Sequence, residues 1–152
     1  MEKIYPPATD YIKLIQVVES FPDDILAKIT PMLIGKYPNT YSYTKQIGET
    51  VIMEEGKGLP IGIHRPSIVM GAYEEPLKGW INSFYSVTAY FSLVFTGVIK
   101  TTQYVPELKT SMVPVDMVVN FAIATACNIA ERFDGKQQQE NVPVYNYEVA
   151  PL

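Results

Sequence analysis

A helix that hands directly to a short strand, midway along the chain, restricts the fold more than any other feature. Asn39 and Thr40 both offer capping side chains and Gly56 or Gly58 offers an end, so the sequence predicts a helix from about Thr40 to Glu55. Ile47 and Val51 give it a buried side, and Glu54-Glu55 a wet one. Leu59 to His64 reads as a strand with Ile61 and Ile63 on one face, ended by Pro66, which has no N–H for a ladder. Asp116 can cap a second helix from Met117 to about Phe133, closed by Asp134-Gly135, with Val118, Phe121, Ile123 and Ala126 largely buried. Val142 to Tyr147 then reads as one more strand. Helix–strand–helix–strand order is the later half of an α/β fold whose strands run parallel. Parallel strands need cover on both faces and neighbours at their edges, and this chain supplies only two or three of them.

The first forty residues are helical by the same criteria. Residues 1–9 are marked by prolines and should be irregular. Thr9 or Asp10 caps a helix to about Ser20 whose apolar stripe is Ile12, Ile15, Val18 and Leu14. Ser20-Phe21-Pro22-Asp23-Asp24 restarts a second helix, with a serine cap, a proline in the first turn and two acids at its positive end. Pro31 or Gly35 should stop it.

The chain has 152 residues, enough for one domain and too few for two ordinary ones. A net charge of −4 with only two arginines, Arg65 and Arg132, excludes nucleic acid as the partner and excludes polybasic attachment to anionic lipid. The one cysteine, Cys127, cannot form an internal disulfide, which suits a reducing, intracellular compartment; its apolar helical run makes it a packed small residue. No pattern of metal ligands stands out. From Gly79 to Ile99 no residue is charged, a length that could span a bilayer. Asn82, Ser83, Ser86, Thr88, Ser92 and Thr96 make it a buried or substrate-lining segment instead, the alternative being a hairpin or helix that touches a membrane.

Tyr41 and Lys45 are the candidate chemical pair. At i and i+4 on the central helix they share one face, and the lysine's charge lowers the phenol's pKa by favouring a developing phenolate. Such a pair can protonate a carbonyl oxygen while a hydride arrives from a nicotinamide. Tyr37 and Tyr43 have no lysine four residues on, and are expected to pack around the site. His64, alone in its strand, is expected to be structural.

Glu2-Lys3-Ile4-Tyr5-Pro6-Pro7, Tyr37-Pro38-Asn39-Thr40-Tyr41, Leu59-Pro60-Ile61, Arg65-Pro66-Ser67-Ile68-Val69, Gly79-Trp80-Ile81 and Val113-Pro114-Val115-Asp116-Met117-Val118-Val119-Asn120 occur in that order. They resemble the fatty acyl-CoA reductases, the alcohol-forming branch of the extended short-chain dehydrogenase/reductases, and most of all the insect members. The resemblance runs along nearly the whole chain. It implies an incomplete Rossmann-like domain over residues 1–152, the later half of an NAD(P)-binding reductase domain, helix-rich with few parallel strands. The glycine-rich first half and the C-terminal reductase domain are not in it.

By the same resemblance Tyr41 is the proton donor, and Lys45 also holds the nicotinamide ribose hydroxyls. The backbone at Pro66, Ser67 and Ile68 meets the carboxamide; the residues themselves leave another task for Arg65, bracing the turn through carbonyl hydrogen bonds without touching ligand. The substrates implied are NADPH and a long-chain fatty acyl-CoA. The family is associated with the peroxisomal or endoplasmic reticulum membrane, although this sequence carries no clear transmembrane anchor. Two departures matter. The family has a G-P-x-G pattern after Gly79-Trp80-Ile81 where this chain has Ser86-Val87-Thr88-Ala89, so side chains occupy positions that are bare elsewhere. Nothing like GxxGxxG or GxGxxG is present to bring backbone amides to a pyrophosphate, and Gly56-Lys57-Gly58 follows a helix. The isolated chain is therefore expected to bind NADPH poorly and not to turn over. The alternative is a non-catalytic truncated paralogue that binds lipid or pairs with a complete reductase.

Overall fold

The computed structural model describes residues 3–103, 105–133 and 142–148. In chain order the elements are α1 (Tyr11–Ser20), α2 (Asp23–Ile34), α3 (Thr40–Glu55), β1 (Ile63–Pro66), β2 (Ile68–Met70), α4 (Ser86–Phe95), β3 (Met112–Pro114), α5 (Val115–Arg132) and β4 (Val144–Tyr147). This is a helix-rich α/β chain with few, short strands. Its described residues divide into two compact units: 3–63 with 133 and 142–143, and 64–103 with 105–132 and 144–148.

The first unit is built from α1, α2 and α3. Asp10 caps α1, its carboxylate accepting from Ile12 N (3.0 Å) and Lys13 N (3.2 Å). The buried cluster is Tyr11, Tyr43 and Ile47, with Leu14, Ile34, Tyr37 and Val51 packed on it. Of the expected stripe of α1 only Leu14 packs inward, three residues from the buried Tyr11, while Ile12, Ile15 and Val18 stay about half exposed. The Tyr11 hydroxyl donates to Glu55, and that bond, with burial, pushes the phenol up to about 12. Ser20 is not the cap of α2; it closes α1, its hydroxyl donating to Gln16 O at 2.5 Å. Pro22 holds the N-cap of α2, and Pro31 lies inside the helix, which runs on to Gly35 at φ 54°.

The second unit carries the strands. β2 pairs with β3 in parallel, Ile68 opposite Met112, Val69 opposite Val113 and Met70 opposite Pro114. β1 pairs with β4, and the bonds Ile63 N–H to Pro143 O and Ser67 N–H to Tyr147 O (both 2.9 Å) advance in step along both strands. The strand expected over Leu59–His64 therefore starts later and takes in Pro66. β1 has β4 on one side; past Ser67 the chain continues as β2 against β3. Proline fits at this changeover because its missing N–H interrupts no ladder. The strand expected at Val142–Tyr147 is β4.

Helix α5 begins at Val115, immediately after β3, so Asp116 lies in its first turn and caps a different segment. Its buried side runs through Thr125 and Ile129, with Phe121 half-buried; Ile123 is 59% exposed, and Ala126 and Cys127 are also exposed. The expected burial of Ile123, Ala126 and Cys127 is thus reversed, because helical spacing places them away from the Phe121–Thr125 side. The expected stop at Asp134-Gly135 lies outside the described residues. His64 packs against Phe121 (ring centroids 5.1 Å apart) and Tyr147 (6.4 Å), the structural place anticipated for it. The uncharged run from Gly79 is not buried either. It contains α4, ten residues with no buried side chain and with Phe95 at 86% exposed. No helix among the described residues is long and apolar enough to cross a membrane.

Candidate functional site

Asn39 sets the start of α3, its carboxamide oxygen accepting from Ser42 N at 2.8 Å and from the Ser42 hydroxyl at 3.0 Å. Tyr41 therefore falls in the first turn and Lys45 one turn on. The two share the solvent face: Tyr41 is 70% exposed, and the Lys45 amine lies 5.9 Å from the centre of its ring. The opposite face, Tyr43, Ile47 and Thr50, is buried. Tyr43 meets Tyr37 edge-on, ring centroids 5.4 Å apart, so both tyrosines pack as expected. Burial, and Tyr37 beside it, push the Tyr43 phenol up, which makes it a weaker acid than an ordinary tyrosine.

Gln46, which sequence reasoning passed over, ties the N-terminal proline segment to the same helix. It donates to Pro6 O and accepts from Ala8 N, both at 3.1 Å. The available signal was the pair of prolines, which remove two backbone donors and leave isolated carbonyls for a side chain to meet.

Pro66, Ser67 and Ile68 lie together in the second unit, at the passage from β1 to β2. Their backbone donors are already engaged: Pro66 has none, Ser67 N donates to Tyr147 O (2.9 Å), and Ile68 N donates to Ser111 O (3.4 Å). The Ser67 hydroxyl accepts from Ser111 Oγ at 3.1 Å. The segment is a strand junction rather than a free turn.

Asp116, expected as a helix cap, is the polar centre of the second unit. Its carboxylate accepts from Tyr73 N (2.9 Å), Glu74 N (2.9 Å) and Glu75 N (3.2 Å). These backbone bonds bring its pKa down to about 2. Glu75, Pro76, Trp80, Val115, Asp116, Val119 and Asn120 line a cavity of about 500 Å³. Among the described residues no group of three or more His, Cys, Asp or Glu side chains could hold a metal ion.

The open face of α3 thus presents a phenol O–H and an ammonium near each other and reachable from solvent, groups able to hydrogen-bond hydroxyl or carbonyl oxygens.

A family model described as male sterility protein, an NAD-binding domain, matches residues 1–122. The chain is 39% identical over 145 residues to fatty acyl-CoA reductase 1 of Xenopus laevis and to that of Homo sapiens, a stretch covering 95% of this chain and 27% of each relative. To fatty acyl-CoA reductase 2 of Bos taurus it is 37% identical over 123 residues, 81% of this chain and 24% of that one. The chain thus spans about a quarter of the length of the curated relatives it matches. These relatives are vertebrate and lend no weight to the expected likeness to insect members. No solved structure matches the chain.

Proposed function

Because this chain belongs to the male sterility protein family of NAD-binding domains, we propose that it carries the proton-donating part of an NADPH-dependent fatty acyl-CoA reductase. On this reading the fold is the extended short-chain dehydrogenase/reductase type. The observation that carries it is the Lys45 amine beside the Tyr41 ring, on the exposed side of a helix whose other side is packed. Similarity to fatty acyl-CoA reductases along 95% of the chain supports a long-chain acyl-CoA as the substrate.

The cofactor, when bound, supplies hydride to the carbonyl carbon. Tyr41 gives its proton to the carbonyl oxygen as negative charge gathers there, and Lys45 stabilises the phenolate left behind. The first reduction gives a hemithioacetal, which collapses to an aldehyde as its hydroxyl proton leaves with the sulfur as coenzyme A thiol. Once the phenolate has taken a proton from water, the same phenol, with a second reduced cofactor, converts the aldehyde to the alcohol. Lys45 also reaches the ribose hydroxyls. On this reading the backbone at Pro66, Ser67 and Ile68 meets the carboxamide, with the N–H groups of Ser67 and Ile68 already occupied. The family's place at the peroxisomal or endoplasmic reticulum membrane belongs to the same reading.

Exposure of the apolar residues of α4 favours a second reading, a non-catalytic chain that binds lipid or pairs with a complete reductase. One experiment separates the two. The chain replaces the matching segment of human fatty acyl-CoA reductase 1, and the product from palmitoyl-CoA is analysed with NADPH. The reductase reading expects fatty alcohol from the chimera, and neither turnover nor tight NADPH binding by the isolated chain. A folded chimera with no alcohol product leaves the non-catalytic reading standing.

A further inference from the structure

The stretch from Gly71 to Trp80 is a folded loop held at both ends. Ala72 N donates to Trp80 O (2.9 Å), Gly79 N to Ala72 O (2.8 Å) and Trp80 N to Leu77 O (2.9 Å). A Cβ on Gly71 would lie 3.3 Å from Gly79 O and 3.4 Å from Trp80 O, so glycine permits this approach. Asp116 fixes the middle of the loop through its three backbone bonds. A loop bonded in this way is a preformed wall, and the cavity of about 500 Å³ lies against it. That volume falls within the range of small-molecule sites.

The charges in the lining are all of one sign. Glu75 and Asp116 bring two carboxylates, and no lysine, arginine or histidine accompanies them. Asp116 stays ionised down to about pH 2, because backbone N–H groups hold its charged form. Those bonds occupy its oxygens, so it contributes a negative field rather than a contact. Glu75 is placed differently. The loop's own lysine, Lys78, pairs with Glu74 at 3.8 Å, and no cation among the described residues pairs with Glu75. Trp80 adds an indole, 41% exposed, whose ring also attracts positive charge. An entering phosphate or carboxylate would meet like charge.

The rest of the lining selects among cations. Pro76, Val115 and Val119 are apolar, while Asn120 offers a carboxamide that can both donate and accept. A primary ammonium holds its water tightly, and apolar walls cannot replace those hydrogen bonds. A quaternary ammonium spreads its charge over methyl groups that pack on such walls and on an indole.

We propose that this cavity is a binding site for a small quaternary ammonium ion, its methyl groups against Trp80, Val115 and Val119, its charge balanced by Glu75 and a hydroxyl on its tail meeting Asn120. Such a ligand is neither the cofactor nor the acyl-CoA of the reductase reading, and its binding does not depend on that reading.

Trp80 is the chain's single tryptophan, so intrinsic fluorescence reports the cavity directly. The intact chain is titrated at constant ionic strength with choline, with its uncharged isostere neohexyl alcohol, with the anion tert-butylacetate and with the primary ammonium of ethanolamine. Choline should give a saturable change in Trp80 emission and bind about tenfold tighter than each of the others, a difference of about 1.4 kcal/mol. Glu75→Gln should weaken choline severalfold and leave the alcohol unchanged; the backbone bond from residue 75 to Asp116 is kept, so the loop survives. Phe95→Ser, outside the lining, should leave choline binding as it is, which separates the cavity from adsorption on exposed apolar surface. Equal affinity for choline and the alcohol, tighter binding of the anion or of ethanolamine, undiminished choline binding by Glu75→Gln, or no saturable change at all overturns the proposal. None of these readouts involves hydride transfer, so a failure of the reductase reading would leave them untouched.

Discussion

Ser86 has φ 53°, the left-handed region that a side chain enters at a cost of about 1–2 kcal/mol. It stands where the resemblance pointed to a glycine pattern, so the local backbone conformation is one that glycine adopts freely. Ser86→Gly should stabilise the chain by about 1 kcal/mol, read as a raised denaturant midpoint. An unchanged or lowered midpoint would show that the serine hydroxyl compensates. Asp116 makes the second prediction. Its folded pKa is about 2, below the ordinary carboxylate value of 3.8, because three loop N–H groups bind its charged form. The stabilisation is present above that ordinary value and disappears as pH falls from there toward 2. Trp80 emission should report loosening of the loop across this window, and Asp116→Asn should flatten the response by removing the titrating group. The sequence announced Asp116 as a residue with a structural task, since an acid after β3 invites a helix cap. Which N–H groups it would serve could not be read there, because Tyr73–Glu75 lie more than forty residues away.

At the level of elements, local signals located α1 and α3 closely. Asp10, Asn39 and Gly56 are caps whose chemistry lies within a few residues of the helix they bound. Where cap and breaker signals overlapped, tertiary context decided: Ser20 closed one helix rather than opening the next, and Pro31 was carried inside α2. Pro31 has no N–H to give to the Ala27 carbonyl, one turn earlier. Pro31→Ala should therefore stabilise the chain by about 1–2 kcal/mol, after allowing for the freedom alanine restores to the unfolded state. A lower midpoint in chemical denaturation would mean the proline ring makes a contact worth more than the lost bond. Burial faces were less legible than boundaries. For α5 the apolar residues surround the helix, so composition could not say whether Thr125 or Ile123 faced inward. The packing of α5 beside β3 and β4 chose Thr125 and Ile129.

For the molecule as a whole, Val113 alone among the described residues is an apolar side chain below 2% exposure, although 47% of the sequence is hydrophobic. Much apolar side-chain surface therefore remains available on α1, α4 and α5, as the scarcity of strands foretold: a short parallel sheet offers little to cover. The shared face of Tyr41 and Lys45 was legible from spacing, because one helix carries both; their chemical role came from the resemblance and not from the spacing. The occupied donors at Ser67 and Ile68 could not be foreseen, since their partners come from β4 and from the residue before β3. The proposed function assigns the proton to Tyr41 and not to a neighbouring tyrosine. Its most direct test compares Tyr41→Phe and Tyr43→Phe in the chimera with human fatty acyl-CoA reductase 1, measuring kcat for NADPH oxidation by palmitoyl-CoA. Tyr41→Phe is expected to lower kcat by about 10²–10⁴-fold with cofactor affinity nearly unchanged, and Tyr43→Phe to cost stability far more than turnover. Equal losses in the two variants, or a kcat that survives Tyr41→Phe, would contradict it.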